Sequence, residues 1–295
     1  MLKFSCEKAL LQAAADTLLS PDLQADILSE LAAGITYAAA RQQAVQARLG
    51  DGAAVLRQPN DTLAVEYLKA CRQLETDMTP IVVSRVGASH DGGAAEGYAS
   101  ASHIRQLLRQ GRGGEALAFL PPGAAEVLLR ELAAGRIADG ALVERAILAR
   151  LRQMTEEEFA AYDGGGEGLY HRVYDAVRRC ATVEELLAAV KTKRYTAARL
   201  RRMVLSAWLR LPKAPETVPY ARVLAANETG RALLRQMRKA GAPVLTKAAD
   251  VAALGSGAEA LFRREAGYTD LYTLAYTDLA QAVPGSDWRL TPMMK

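Results

Sequence analysis

Residues 80–105 read PIVVSRVGASHDGGAAEGYASASHIR, and this stretch decides how the chain is interpreted. Pro80-Ile81-Val82-Val83-Ser84-Arg85-Val86 is short and β-branched between Ala- and Leu-rich neighbours, which predicts a buried strand. A polar, glycine-rich run from Gly87 to Tyr98 follows. It opens into Ser100-Ala101-Ser102-His103-Ile104-Arg105, the start of a helix that Gly111 closes. Strand, loop and serine-rich helix start form an ordinary layout for an anion site, because first-turn N–H groups and hydroxyls converge there. A capped helix after a surface loop explains the same residues without a ligand.

Outward from this point the spacing is helical. Ser20-Pro21 is a cap and first-turn signal, Gly34 ends the helix it starts, and Thr36 caps the next, which runs to about Gly50. Asn60-Asp61 precedes a helix over Thr62–Leu74, with Leu63, Tyr67, Ala70 and Leu74 on one face. Beyond Pro121, helices are expected over Pro122–Ala134, Ala141–Met154, Gly168–Cys180, Val183–Val190 and Thr196–Leu211. The Val183–Val190 helix opens on a Thr182…Glu185 capping box, and Pro212 stops the Thr196–Leu211 helix. Tyr220–Ala225 and Pro243–Lys247 read as short strands. The fold class is therefore mainly α with a small α/β part, divided near Leu120-Pro121-Pro122 into residues 1–120 and 121–295.

Composition narrows the class. Half of the 295 residues are hydrophobic, which supports a buried core and argues against disorder. No apolar run approaches a membrane span, and MLKFSCEKALLQ lacks a signal-peptide layout, so a cytoplasmic protein is expected. Cys6, Cys71 and Cys180 share no close spacing, which argues against disulfides or zinc. The net charge is only +4, but Lys191, Lys193, Arg194, Arg199, Arg201, Arg202 and Arg210 fall in twenty positions without one acidic residue. Such a field attracts a polyanion, although a solvated helix face would look the same.

Four stretches, in order, resemble the bacterial tRNA(Met) cytidine acetate ligase family. They are PNDTLAVEYLKA from Pro59; Ser84-Arg85-Val86-Gly87-Ala88 with Ser100–Arg105; KTKRYT from Lys191 with Ala198-Arg199-Leu200-Arg201-Arg202; and a final group. That group comprises Tyr220-Ala221-Arg222-Val223-Leu224, Gly230-Arg231, Leu233-Leu234, Pro243–Lys247 and Asp270-Leu271-Tyr272. KTKRYT is the most specific of them.

The resemblance implies the remnant of a Rossmann-type nucleotidyltransferase domain followed by a helical tRNA-binding domain. It implies an ATP-dependent acetate ligase that forms acetyl-adenylate and then N4-acetylcytidine at the wobble position of elongator tRNA(Met). Asn60, Arg85, Ser100, Ser102 and Arg105 match its ATP and phosphate contacts, with Mg2+ an optional companion of ATP. Lys191, Lys193, Arg194, Arg199, Arg201 and Arg202 are expected on tRNA phosphates, and Tyr195 either packs or stacks a base. No histidine is assigned a catalytic role. The 295 residues contain no H-x-G-H, and Phe4-Ser5-Cys6-Glu7 carries Ser5 where the family has glycine. An N-terminally truncated ligase is the favoured expectation, ahead of a decayed gene or a split enzyme completed in trans. A non-catalytic tRNA-binding protein is the alternative, and a helical protein without a nucleic-acid partner the blandest reading.

Overall fold

The computed structural model describes residues 3–4, 8–32, 34–84, 94–95, 97–163, 168–192, 195–211 and 218–295. It divides into two compact units, Met1–Ala125 and Glu126–Lys295.

In the first unit, α1 (Lys8–Leu19), α2 (Pro21–Ala32), α3 (Tyr37–Leu49) and α4 (Pro59–Gln73) enclose one apolar core. Leu11, Leu18, Leu23, Ile27, Val45 and Val65 fill it, and Ala14, Ala15, Ala40, Ala44 and Ala64 let the helix backbones approach closely. The helix starts follow local chemistry. Pro21 and Pro59 occupy first turns, where a missing N–H leaves no intrahelical bond unmade, and Thr36 accepts from Ala39 N at 3.4 Å. The α/β part is small. β1 (Lys3–Phe4) pairs in parallel with β2 (Val83–Ser84), and α4 packs on β1. A hairpin of β3 (Ala94–Ala95) and β4 (Tyr98–Ala99) leads into α5 (Ala101–Arg109) and α6 (Gly113–Leu117).

Three expectations change here. Of the strand expected over 80–86, Pro80, Ile81 and Val82 lie outside the strand, which starts at Val83, and Ile81 is 79% exposed, so this start is not buried; Arg85 and Val86 lie outside the described residues. Helix α4 begins three residues earlier than Thr62, so Asn60 lies inside its first turn and does not cap it. The face expected to be apolar is outward: Leu63, Tyr67 and Leu74 are exposed, while Asp61, Ala64 and Val65 are buried.

The division between units falls within α7 (Pro122–Ala133). The second unit contains α8 (Gly140–Gln153), α9 (Glu156–Ala160), α10 (Leu169–Val177), α11 (Val183–Val190) and α12 (Ala197–Leu209) around a core of Ile147, Leu151, Phe159, Val173, Leu186 and Leu200. At Thr182 the hydroxyl accepts from Glu185 N as expected, but the Glu185 carboxylate receives Ala181 N instead of closing a box. A complete capping box is formed by Thr155 and Glu158, where α9 starts.

A second cluster holds Tyr220, Leu245, Val251, Phe262 and Ala266. The strand expected over Tyr220–Ala225 is two dyads with different partners. β5 (Ala221–Arg222) pairs in parallel with β7 (Val244–Leu245), and β6 (Ala225–Ala226) with β8 (Met293–Met294). Between and after them run α13 (Glu228–Lys239), α14 (Ser256–Thr273) and α15 (Ser286–Arg289). Among the described residues no helix is long and apolar enough to cross a membrane.

Candidate functional site

The nucleotide candidates lie in the first unit. Ser100 is the N-cap of α5; its hydroxyl accepts from His103 N at 3.1 Å and the residue is 4% exposed. One lone pair is thus committed to the helix, and the O–H remains as a donor. Ser102 and Arg105 are exposed and three apart, so they neighbour each other on the α5 surface. His103 packs edge-on against Phe119, with ring centroids 5.8 Å apart, and has a structural explanation. Arg112, one turn beyond α5, is held by Glu115 through bonds of 2.6 and 2.7 Å. Those bonds hold the Glu115 carboxyl below its ordinary range.

Asn60 is half-buried, and its amide makes no hydrogen bond among the described residues. The cap residue of α4, Gln58, gives no side-chain bond to the first turn. The Asn60 amide suits a polar ligand, and the buried Asp61 carboxylate in the same turn offsets the positive helix end. Arg85 and Ser5 lie outside the described residues.

The basic stretch sits in the second unit, and its members divide. Thr196 caps α12, whose period turns Leu200, Met203, Val204 and Ala207 inward. Arg201 and Arg202 on α12 and Lys191 at the end of α11 face solvent. Tyr195 is 5% exposed within the core, so of its two roles the structure takes packing, and its ring is not open to a base. The Arg199 guanidinium lies 5.4 Å above that ring and 3.2 Å from the Asp163 carboxylate. Arg199 is therefore part of the framework as well as a cation. Lys193 and Arg194 lie outside the described residues.

Two features were not assigned from sequence. Arg231, Arg235 and Arg238 follow one another at i, i+4 and i+7 along α13 and line a groove with Lys247. That spacing was legible in Glu228–Lys239, but the facing Lys247 was not. Nearby, Tyr220 donates to Glu265 at 2.6 Å and Arg222 pairs with Asp287 at 2.7 Å. Burial and then the Glu265 carboxylate push the Tyr220 hydroxyl above its ordinary value. Asp287 is 6% exposed, and its Oδ2 is buried without a hydrogen-bond partner. Among the described residues no three His, Cys, Asp or Glu side chains gather as a metal-binding group.

Comparison with known proteins places this geometry. The HIGH Nucleotidyl Transferase family profile matches residues 1–285. The tRNA(Met) cytidine acetate ligase of Thermoanaerobacter sp. (strain X514) is 31% identical over 274 residues, covering 90% of this chain and 67% of the relative. That of Kosmotoga olearia is 32% identical over 255 residues, covering 80% and 60%. The chain thus spans about two thirds of these relatives' length. The fold is also that of a Thermotoga maritima protein solved as apo TmcAL, with a TM-score of 0.90 at 24% identity over 99% of this chain and 75% of that one. The same protein bound with alpha-thio ATP gives a TM-score of 0.88 at 23% identity over the same shares.

Proposed function

Since the chain belongs to the tRNA(Met) cytidine acetate ligase family of HIGH nucleotidyl transferases, we propose that it binds ATP and tRNA(Met) for joining acetate to the N4 amine of the wobble cytidine of elongator tRNA(Met). The kinship with the Thermoanaerobacter ligase across 90% of the chain carries this reading. In the first step an acetate oxygen attacks the α-phosphorus of ATP, the bond to the β-phosphate breaks, and pyrophosphate leaves. In the second, the cytidine amine attacks the acetyl carbonyl of acetyl-adenylate, AMP leaves, and the amine gives up a proton. Both steps depend on positioning and on spreading charge over phosphate oxygens.

Asn60 is assigned to polar groups of the adenosine, supported by its unengaged amide at an uncapped helix start. Arg85 is assigned to the triphosphate, and the Ser100 hydroxyl, Ser102 and Arg105 to the pyrophosphate. Mg2+ would accompany ATP and supply counter-charge to its phosphates. Lys191, Arg201 and Arg202 are assigned to tRNA phosphates, with Lys193 and Arg194 beside them in sequence. The work is placed in the cytoplasm, where tRNA is modified. No residue among the 295 is given the role of the H-x-G-H histidines, since that pattern does not occur in them.

A second reading, a tRNA-binding protein without catalysis, draws on the same exposed cations Lys191, Arg201 and Arg202. Acetate-dependent ATP–pyrophosphate exchange and acetylation of a tRNA(Met) transcript separate the two. The assay is run on the chain alone and on the chain mixed with the histidine-motif portion of a relative. Acetylation in either mixture supports the ligase, with Asn60→Ala weakening ATP about fivefold for one lost hydrogen bond. Salt-sensitive tRNA binding without exchange in both supports the second reading. Neither activity would remove the assignment altogether.

A further inference from the structure

The geometry points to a second RNA contact in the second unit, a groove beside α13 that seats the phosphate backbone of the tRNA. This inference rests on the tRNA reading above but uses residues that reading leaves idle. Helix α13 packs against β6 and β7, and β8 lies beside β6. The groove between them, of about 360 Å³, is lined by Arg231, Arg235 and Arg238 from the helix and by Thr246 and Lys247 from the turn after β7. Leu234, Pro292 and Met294 supply its apolar part.

Four cations and no carboxylate line it. Among the described residues Glu228 pairs with Arg231, at 3.8 Å, and its side chain is 92% exposed. Arg238 is positioned by a 2.8 Å bond to the Thr246 hydroxyl. The side chains of Arg235 and Lys247 have no hydrogen bond or ion pair among the described residues, so their donors remain for a ligand.

From Arg231 to Arg238 the helix advances about 10 Å, longer than one phosphate and suited to consecutive ones. Cations beside an apolar strip match a nucleic-acid strand, in which charged phosphates alternate with the apolar faces of base and ribose. A free phosphate would use the cations and leave Leu234, Pro292 and Met294 without a role. The lining comes from residues 231–238, 246–247 and 291–294, distant in sequence, which the fold brings to one groove.

The test uses the whole chain, a tRNA(Met) transcript and the variant Arg235→Ala/Lys247→Ala, with binding measured between about 50 and 200 mM salt. Arg238 is left in place because it ties α13 to Thr246. Each lost phosphate contact on a single strand lowers the salt slope by about 0.7 and the affinity at about 0.1 M salt by about fivefold. The variant is expected to show up to twice that slope change with an unaltered melting curve. Unchanged affinity and slope, while Arg201→Ala/Arg202→Ala reduces both, would overturn the groove and leave the tRNA reading standing. Absence of salt-dependent tRNA binding by the unmodified chain would overturn both. Loss of binding to phosphatidylserine vesicles alone, with tRNA binding intact, would assign the groove to a membrane surface and also overturn the inference.

Discussion

Replacing Arg199 by alanine should destabilise the second unit, although the residue lies in the stretch with the strongest appearance of an RNA contact. Its guanidinium is 3.2 Å from the Asp163 carboxylate, whose side chain is 1% exposed. The other carboxylate oxygen accepts from Tyr170 N at 3.3 Å, so Asp163 links the start of α10 to α12. Removing one partner of a fully buried ion pair costs about 3–5 kcal/mol, and an exposed pair contributes about 0–1 kcal/mol. The Arg199 side chain is 29% exposed, so water partly replaces it and the expected loss is about 2 kcal/mol. With a urea dependence of about 2 kcal/mol per molar, the unfolding midpoint falls by about 1 M. Urea unfolding followed by far-UV circular dichroism measures this, for Arg199→Ala, Asp163→Asn and the double variant. The double variant should be less destabilised than the two single losses added together, because the pair is coupled. A midpoint within about 0.2 M of the parent, combined with a large loss of tRNA affinity, would refute the structural assignment of Arg199. Charge changes meant to probe RNA binding therefore belong at Arg201 and Arg202.

Gly135 has φ +66°, and an added Cβ would stand 2.5 Å from Asp278 Cβ and 3.2 Å from Asp278 N. Gly135→Ala should cost about 2–4 kcal/mol from the left-handed backbone and the collision, and an unchanged urea midpoint would refute the close approach. Ser100→Ala should lower stability by about 1 kcal/mol through loss of the cap on α5, read in the same assay; no change would mean that the His103 N bond contributes nothing. The Glu131 carboxyl is held at about 2 by Arg136 first and Arg130 second. Its folded value lies below the ordinary one, so its stabilisation is complete above about 4.5 and is lost as pH falls toward about 2. The melting-temperature gap between the parent and Glu131→Gln should close across that window, and a gap constant with pH would contradict the pairing.

Sequence by itself determined the features set by short-range chemistry. Thr36 and the Thr182 start of Val183–Val190 were readable because a cap and the N–H it satisfies lie three residues apart, and the helix period is imposed by the backbone. The Thr155-Glu156-Glu157-Glu158 box carried an equally local signal and was passed over. The ordered motifs also sufficed to reach the family. Tertiary structure alone decided what depends on partners far along the chain. Parallel strands need a distant neighbour, so Lys3 finds Val83, Ala221 finds Val244 and Ala225 finds Met293. Which face of α4 is buried was likewise set by α1 and the 3-10 segment Gly50–Arg57, against the pattern of Leu63, Tyr67 and Leu74. The cations of the basic stretch look alike in sequence. Only the fold separates Arg201 and Arg202, left to solvent, from Arg199, drawn to a carboxylate buried thirty-six positions away, because burial and pairing are properties of the packed neighbourhood rather than of the residue.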